Sequence, residues 1–562
     1  MFNIKDIPFS AYDSFFTLSY LKGAKGYDEG LYIRLVKGGD NNISHLFKLE
    51  FSEEYKVNFT PQCISFMGSK GEVEVVIAAS KVMRIKGKNM AVKLKYQVRE
   101  YDHILDLHKY WEINSYSEEI RIAITTLEGT IKVDAPWKNI KNSYIDIETS
   151  KDFDIALEEY KVVPEFNEGY EEFYKYYNYR QNQFNTWLDK TLPGCKGYKE
   201  GRELAAYITW SSVVPRGGNL PFQAMYMSKN WMTNIWSWDN CFNALALLHN
   251  DCDLALDQLR IFFSKQHPTG MLPDFVNDKY SYYNSTKPPI HGWTIITMME
   301  EKPEIFTKDI VEELYYPLVK WTEWWFKYRD LDKDGIPEYF HGNDSGWDNS
   351  TLFSKGIPVE SPDICAFLAL QLEALEIMAK IIGQDYEIWH NKKNNMINLL
   401  IRDLWKENGF IGREYYSHDI IENNSLILYI PLILGKRLPD YVRDSLIEQL
   451  KKQGQFYTSM GLATEKITSD LYEEDGYWRG PIWAPSTFIL FKGLQGCGEE
   501  ELAYEMAEKF CNMAEKNGMA ENYHATTGEG LRDKSFTWTS SVFLMLNNYL
   551  KNKKLDNLIQ KY

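Results

Sequence analysis

A chain of 562 residues exceeds one ordinary hydrophobic core, for which about 150 residues is the usual scale, so two unequal domains are expected. Its 44% hydrophobic and 25% charged residues are those of a folded globular protein rather than a disordered one. A formal net charge of −16 speaks against a nucleic-acid partner, which needs a cationic surface, and the lack of any apolar run of about 18 residues speaks against a membrane span.

The opening segment MFNIKDIPFSAYDSFF has no basic stretch followed by an apolar run and a small-residue cleavage site, so a soluble, cytoplasmic location is expected. Seven scattered cysteines, none spaced as CxxC, read as buried thiols rather than a zinc site or a disulfide framework. Residues 1–165 read as a β-sandwich. Val92, Leu94, Tyr96 and Val98 alternate with Lys93, Lys95 and Gln97, and the same period of two recurs at Ile120, Ile122, Ile124 and at Phe153, Ile155, Leu157. Residues 166–195 read as a helical linker, because YEEFYKYYNYRQNQFNTWLDK lacks Gly and Pro and is followed by a turn at Pro193-Gly194.

Residues 196–562 read as helices separated by long loops. Helices are expected at about 203–214, 306–328, 361–383, 386–404, 440–452, 499–517 and 536–551. The 361–383 helix has Ser361 as N-cap, Pro362 at the first helical position, Asp363 in the first turn and Gly383 as its stop. Leu502, Met506, Phe510 and Met513 form one apolar stripe in the 499–517 helix. This part is also rich in tryptophan: of seventeen, only Trp111, Trp137 and Trp187 precede residue 200. Indole faces can stack on a sugar ring, although a single tryptophan is more commonly a core residue.

Between two of the helices lies Asp330-Leu331-Asp332-Lys333-Asp334-Gly335-Ile336-Pro337-Glu338. Oxygen ligands at alternate residues and a glycine turn match the first half of an EF-hand loop, which makes Asp330, Asp332, Asp334, the Ile336 carbonyl and Glu338 a candidate structural Ca²⁺ site. The fit is partial, since the acid stands at the ninth rather than the twelfth position; an acidic solvent turn is the competing reading.

Four loop segments have compositions that helix packing does not require: NIWSWDN (234–240), GNDSGWDNS (342–350), GYWRGPIW (476–483) and ENYHATTGEG (521–530). With KPPIHGW (287–293) and SPDICAFLALQ (361–371), in this order over about residues 200–550, they resemble glycoside hydrolase family 63 and its trehalase-related clan. The resemblance implies an (α/α)6 toroid behind the β-sandwich and an inverting, exo-acting α-glycosidase. It places the general acid at Asp348 and the general base at Glu521, with Asp344 and Glu529 as rivals. Some members of the family carry a structural calcium in a comparable loop, and the chemistry itself requires no cofactor.

Such hydrolysis needs one protonated carboxyl and one carboxylate, and Trp347 beside Asp348 is an apolar neighbour that would favour the protonated form. Trp236, Trp238, Asp239, Trp347, Arg479 and Trp483 are the candidate sugar-binding residues: Asp239 as a hydroxyl acceptor, Arg479 as a forked donor and the indoles as walls. Trp478 and Trp538 are expected in the core, and His291 and His524 as structural hydrogen-bonders. The expected substrate is a small oligosaccharide or glycoside carrying a terminal glucose. A trehalase-like or a glucosylglycerate or mannosylglycerate hydrolase is the near alternative, and a phosphorylase or a non-catalytic sugar-binding protein the distant ones. Oligomeric state is not legible.

Overall fold

A computed structural model describes residues 2–23, 27–39, 45–165 and 169–559, except for the side chains of His45 and of 555–559. The expected boundary between the sandwich and the linker, at residues 165 and 166, abuts 166–168, which lie outside the described residues. The chain divides into two compact units, the first of 1–190, 206–216 and 228–233 and the second of 191–205, 217–227 and 234–562, with the division running through the helix Lys199–Ser211.

The first unit holds two large antiparallel sheets, besides the short pair Trp137–Lys138 and Lys141–Asn142. One has the order Phe9–Ser10, Phe16–Leu21, Gly30–Leu35, His45–Phe51, Val92–Tyr96, Ile145–Thr149, Ile131–Asp134. The other has the order His103–Asp106, Trp111–Ser115, Ile120–Glu128, Phe153–Tyr160, Val82–Lys88, Glu72–Ala79, Ile64–Met67, Lys56–Phe59. Phe51 of the first sheet meets Phe66 of the second with ring centroids 4.6 Å apart. The alternation read from the sequence works as a pleat should: Val92, Leu94 and Tyr96 are buried while Lys93 and Lys95 turn outward.

Phe153–Tyr160 is buried on both faces. Its polar face survives burial because Arg84 binds Asp154 through both carboxylate oxygens at 2.7 and 3.1 Å and the Tyr170 hydroxyl donates to Glu158 at 2.7 Å. The segment expected as a linker becomes the helix Phe173–Lys190, whose buried residues Phe173, Arg180, Phe184 and Trp187 lie on one stripe. That stripe packs against the strand Glu72–Ala79, and Arg180 Nε donates to the Ile77 carbonyl at 2.7 Å.

The second unit is mainly helical. Asp239–Leu247 packs on His291–Glu301, which packs on Pro362–Ile382; that helix packs on the irregular segment Leu426–Arg437, then come Ala484–Cys497 and Thr537–Ile559, and the last returns to Asp239–Leu247. These segments are buried over most of their surface, whereas Lys308–Tyr328, Glu387–Leu404 and Glu500–Asn517 bury one face and pack on their outside. A Cβ at Gly493 would stand 2.7 Å from the Leu432 carbonyl carbon, so only glycine allows Ala484–Cys497 to lie this close to Leu426–Arg437. The expected helix at 361–383 forms as Pro362–Ile382, stopped by Gly383 at φ 78°.

Two-residue strands brace the loops of this unit: 235–236 pair with 275–276, 338–339 with 359–360, and 522–523 with 530–531. All seven cysteines are free; Cys63, Cys241, Cys365 and Cys511 are buried, and Cys195, Cys252 and Cys497 are partly buried. No helix among the described residues is long and apolar enough to cross a membrane.

Candidate active site

Asp348 lies just beyond a one-turn helix, Gly342–Ser345, which Gly346 ends in the left-handed region at φ 73°. A Cβ at Gly346 would fall 2.5 Å from the Trp238 ring, so conformation and space both require glycine there. Asn349 then ties this loop to the next segment: its Nδ2 donates to the Gly476 carbonyl at 2.9 Å and its Oδ1 accepts from the Trp478 amide at 2.9 Å. The 476–483 segment is held from its other side by Ile482 and Tyr523, which exchange backbone hydrogen bonds of 2.7 and 2.9 Å. Glu521 stands two residues before Tyr523, with its own amide donating to the Asp533 carbonyl at 2.7 Å. One segment therefore sets the spacing between the two candidate carboxylates.

Burial raises the Asp348 carboxyl above its ordinary proton affinity; Lys287 opposes the rise and Asp274 adds to it. Burial also pushes the Glu521 carboxyl up to about 7, helped by Asp533 and Asp348 and opposed by Arg532 and by the Tyr477 hydroxyl, which donates a hydrogen bond to it. Asp348 thus lies close enough for its charge to act on Glu521. Asp239 is pushed well above the carboxylate range by burial, with Lys287 opposing and Asp274 and Asp348 adding. Its Oδ1 is buried without a hydrogen-bond partner.

The two rival carboxylates are placed differently. Asp344 is heavily engaged: it accepts from Arg329 Nη1 at 2.6 Å, from the Thr286 amide at 3.0 Å and from the Phe340 amide at 3.2 Å. Glu529 is exposed. Of the two histidines expected as structural hydrogen-bonders, His524 accepts from the Thr526 and Thr527 amides, whereas His291 is fully buried with neither ring nitrogen hydrogen-bonded and its proton affinity lowered to about 3 by burial.

Five of the tryptophans gather into one cluster. Trp478 stacks on Trp483 at 4.1 Å and 5°, Trp347 lies 4.6 Å from Trp478, and Trp238 and Trp538 abut the same group. Trp238, Trp347 and Trp483 were read as ring walls, but each is at most 2% exposed, so the indole faces that meet one another here are closed to a ligand. Trp478 and Trp538 are core residues, as expected. Trp236 is 8% exposed and tilts against Phe275. Arg479 pairs with Glu473 at 2.8 Å and donates to the Leu471 carbonyl. With Asp348, His341 and Thr351 it lines a cavity of about 410 Å³, whose lining does not include Glu521, Asp239 or the tryptophans.

Sequence reading passed over Lys287, Asp274 and Tyr477. Lys287 was quoted only as the first residue of KPPIHGW, and a basic residue before two prolines carries no pattern that marks it as buried. Tyr477 holds φ 63°, a left-handed conformation costly for a non-glycine residue, and it does so where it reaches Glu521. Its position between Gly476 and Trp478 was the available signal.

In the acidic loop, oxygens of Asp330, Asp332 and Glu338 lie within 4.8 Å of one another, as do ligand atoms of Asp332, Asp334, Glu360 and His418. Asp334 departs from the expected set because Arg413 bonds both it and Glu360, and the Ile336 amide donates to Asp334 at 2.8 Å. Asp330 Oδ1 is buried without a partner, and burial, then Asp330 and Asp332, drive Glu338 up to about 8. Crowded oxygen donors of this kind fit a hard divalent cation, which would relieve their repulsion.

Comparison with known proteins gives concordant matches. The family described as mannosylglycerate hydrolase MGH1-like glycoside hydrolase domain matches residues 232–539. The chain is 23% identical over 409 residues to a mannosylglycerate hydrolase of Thermus thermophilus, covering 59% of this chain and 95% of that one. It is 21% identical over 416 residues to a glucosylglycerate hydrolase of Mycolicibacterium hassiacum, covering 55% and 91%. Among solved structures, a GH63 mannosylglycerate hydrolase from Thermus thermophilus in complex with glucose aligns at a TM-score of 0.54 and 20% identity, covering 60% of this chain and 98% of that one.

Proposed function

The chain belongs to the mannosylglycerate hydrolase MGH1-like glycoside hydrolase family, a GH63-like family, and from this premise we propose that it is an inverting, exo-acting α-glycosidase whose general acid is Asp348 and whose general base is Glu521. The observation that carries the reading is the pairing itself. Asp348 is half-buried and Glu521 buried, the Asp348 charge acts on Glu521, neither is bonded to an arginine or lysine among the described residues, and both have raised proton affinity, as an acid and base pair in glycoside hydrolysis requires. Asp344 is instead held by the Arg329 guanidinium and two backbone amides, all of which donate to it, and this suits it poorly to proton donation.

In this reading Asp348 gives its proton to the glycosidic oxygen as the bond to the anomeric carbon breaks. Glu521 takes a proton from the water that attacks the opposite face, and Tyr477 steadies its charged form. Inversion requires about 6.5–9.5 Å between the two carboxyls to admit that water. Asp239, with an unpartnered oxygen, accepts sugar hydroxyls. The cavity flanked by Asp348 and Arg479 takes the leaving group.

The fold that accompanies this chemistry is a β-sandwich joined to an (α/α)6 toroid, supported by the succession of buried helices that returns to its start and by the one-face-buried helices outside it. A cation bound by Asp330, Asp332 and Glu338 would pin the loop that leads into Asp344 and Asp348 and would take no part in the reaction. The substrate is a small glycoside with a terminal glucose. A mannosyl- or glucosylglycerate is the second reading, favoured because the relatives that carry those names align over 91% and 95% of their own lengths.

A panel of α-linked disaccharides, glucosylglycerate and mannosylglycerate, with NMR of the first-formed anomer, tests this proposal. β-Anomer released from an α-glycoside is the expected result, with losses of about 10²–10⁴-fold in kcat for Asp348→Asn and Glu521→Gln. First-formed α-anomer would overturn inversion, and full activity in either variant would remove that carboxyl from the mechanism.

A further inference from the structure

Lys287 is 4% exposed and sits where three carboxyls converge. Its Nζ donates to the Asn343 carbonyl at 2.7 Å and to Asn343 Oδ1 at 2.9 Å, and it pairs with Asp274 Oδ1 at 3.1 Å. Asn343 Nδ2 closes the triangle by donating to Asp274 Oδ2 at 3.0 Å. Asn343 belongs to the one-turn helix just before Asp348, and a Cβ on its neighbour Gly342 would be 2.1 Å from the Asp348 carbonyl oxygen, so the acid's backbone rests directly on that helix. A lysine in this position is costly to bury, and burial is tolerated only where the charge is fully engaged.

We propose that Lys287 is a positioning residue of the reaction, clasping the Asp348 loop to Asp274 through Asn343 and supplying the buried positive charge that Asp239 and Asp348 share. The charge balance supports it. Asp348 faces the Lys287 cation and the His341 ring, with Asp274, Asp239, Glu521 and Tyr477 as acidic groups. Asp274 neutralises most of the lysine at contact distance, and what remains of its field is the brake that keeps Asp348 from holding its proton too tightly to donate it. Lys287 itself touches no reacting atom; it acts through Asn343 and through its charge.

The inference rests on Asp348 being the acid, and the experiment separates the two claims. Protein labelled with ¹³C at aspartate carboxyls is titrated by NMR, the Asp348 signal being the one lost in Asp348→Asn. Lys287→Met is placed in an Asp274→Asn background, so that protonation of Asp274 cannot absorb the lost charge. Relative to Asp274→Asn alone, the Asp348 signal should then titrate about one pH unit higher, a tenfold change in proton affinity, and Lys287→Arg in the same background should restore it. If Lys287→Met does not fold, Lys287→Gln, which keeps a donor but no charge, makes the same comparison. An Asp348 titration unmoved by loss of the charge, or moved equally by Lys287→Arg, overturns the proposal. Retained hydrolysis by Asp348→Asn would overturn the acid assignment without touching the NMR result.

Discussion

Glu521 holds its proton up to about 7 because burial leaves its charged form poorly solvated. Between its ordinary value of 4.5 and about 7 the folded protein binds a proton that the unfolded chain has released, so this residue's contribution to stability falls as pH rises through that window. Above it the folded state carries a buried charge at full cost. Glu521→Gln is therefore expected to be inactive yet more stable than the parent at pH 8, by about 2–3 kcal/mol, and no more stable near pH 4; thermal melts of both proteins at the two pH values check it. A variant that melts lower at pH 8 would contradict the raised proton affinity. At the level of single residues both candidate carboxyls were named through the resemblance of their segments to glycoside hydrolase family 63, since composition alone left Asp344 and Glu529 as rivals. Neither Lys287 nor Tyr477 was named, because their importance arises from what folding brings beside them.

Between residues and the whole, the acidic loop and the site loops are the elements that matter. The spacing of Asp330, Asp332 and Glu338 was legible as a half EF-hand, but the diversion of Asp334 to Arg413 was not, since Arg413 lies 79 residues away in sequence. If the three remaining carboxylates hold calcium, chelation with EGTA should lower the melting temperature, and free calcium at about 1,000 times its Kd should add about 4 kcal/mol of stability. Asp330→Asn should abolish that calcium response while leaving folding intact, a result differential scanning calorimetry would register directly. An unchanged melt across the calcium range would return the loop to a solvated acidic turn. The same principle explains the indoles: composition marked them as unusual, and only packing decides whether a ring faces a neighbour or a ligand.

Across the whole chain, what the sequence disclosed depended on how many faces an element exposes. Lys308–Tyr328 and Glu500–Asn517 bury one stripe, so their periodicity survived and their positions were read almost to the residue. Asp239–Leu247, His291–Glu301, Leu426–Arg437 and Ala484–Cys497 are surrounded, so no polar face punctuated them and they were missed. Pro362–Ile382 is equally surrounded yet was found, because its capping residues announced both ends. The tryptophan cluster joins four distant stretches of the chain, and it has an optical meaning. Two indoles stacked 4.1 Å apart and nearly parallel are coupled transition dipoles, and the other rings are set about them at larger angles. Their near-ultraviolet circular dichroism should show a strong exciton signature that Trp483→Phe removes, and its amplitude would report whether the 476–483 segment, which is tied to Asn349 on one side and Tyr523 on the other, has taken its native form.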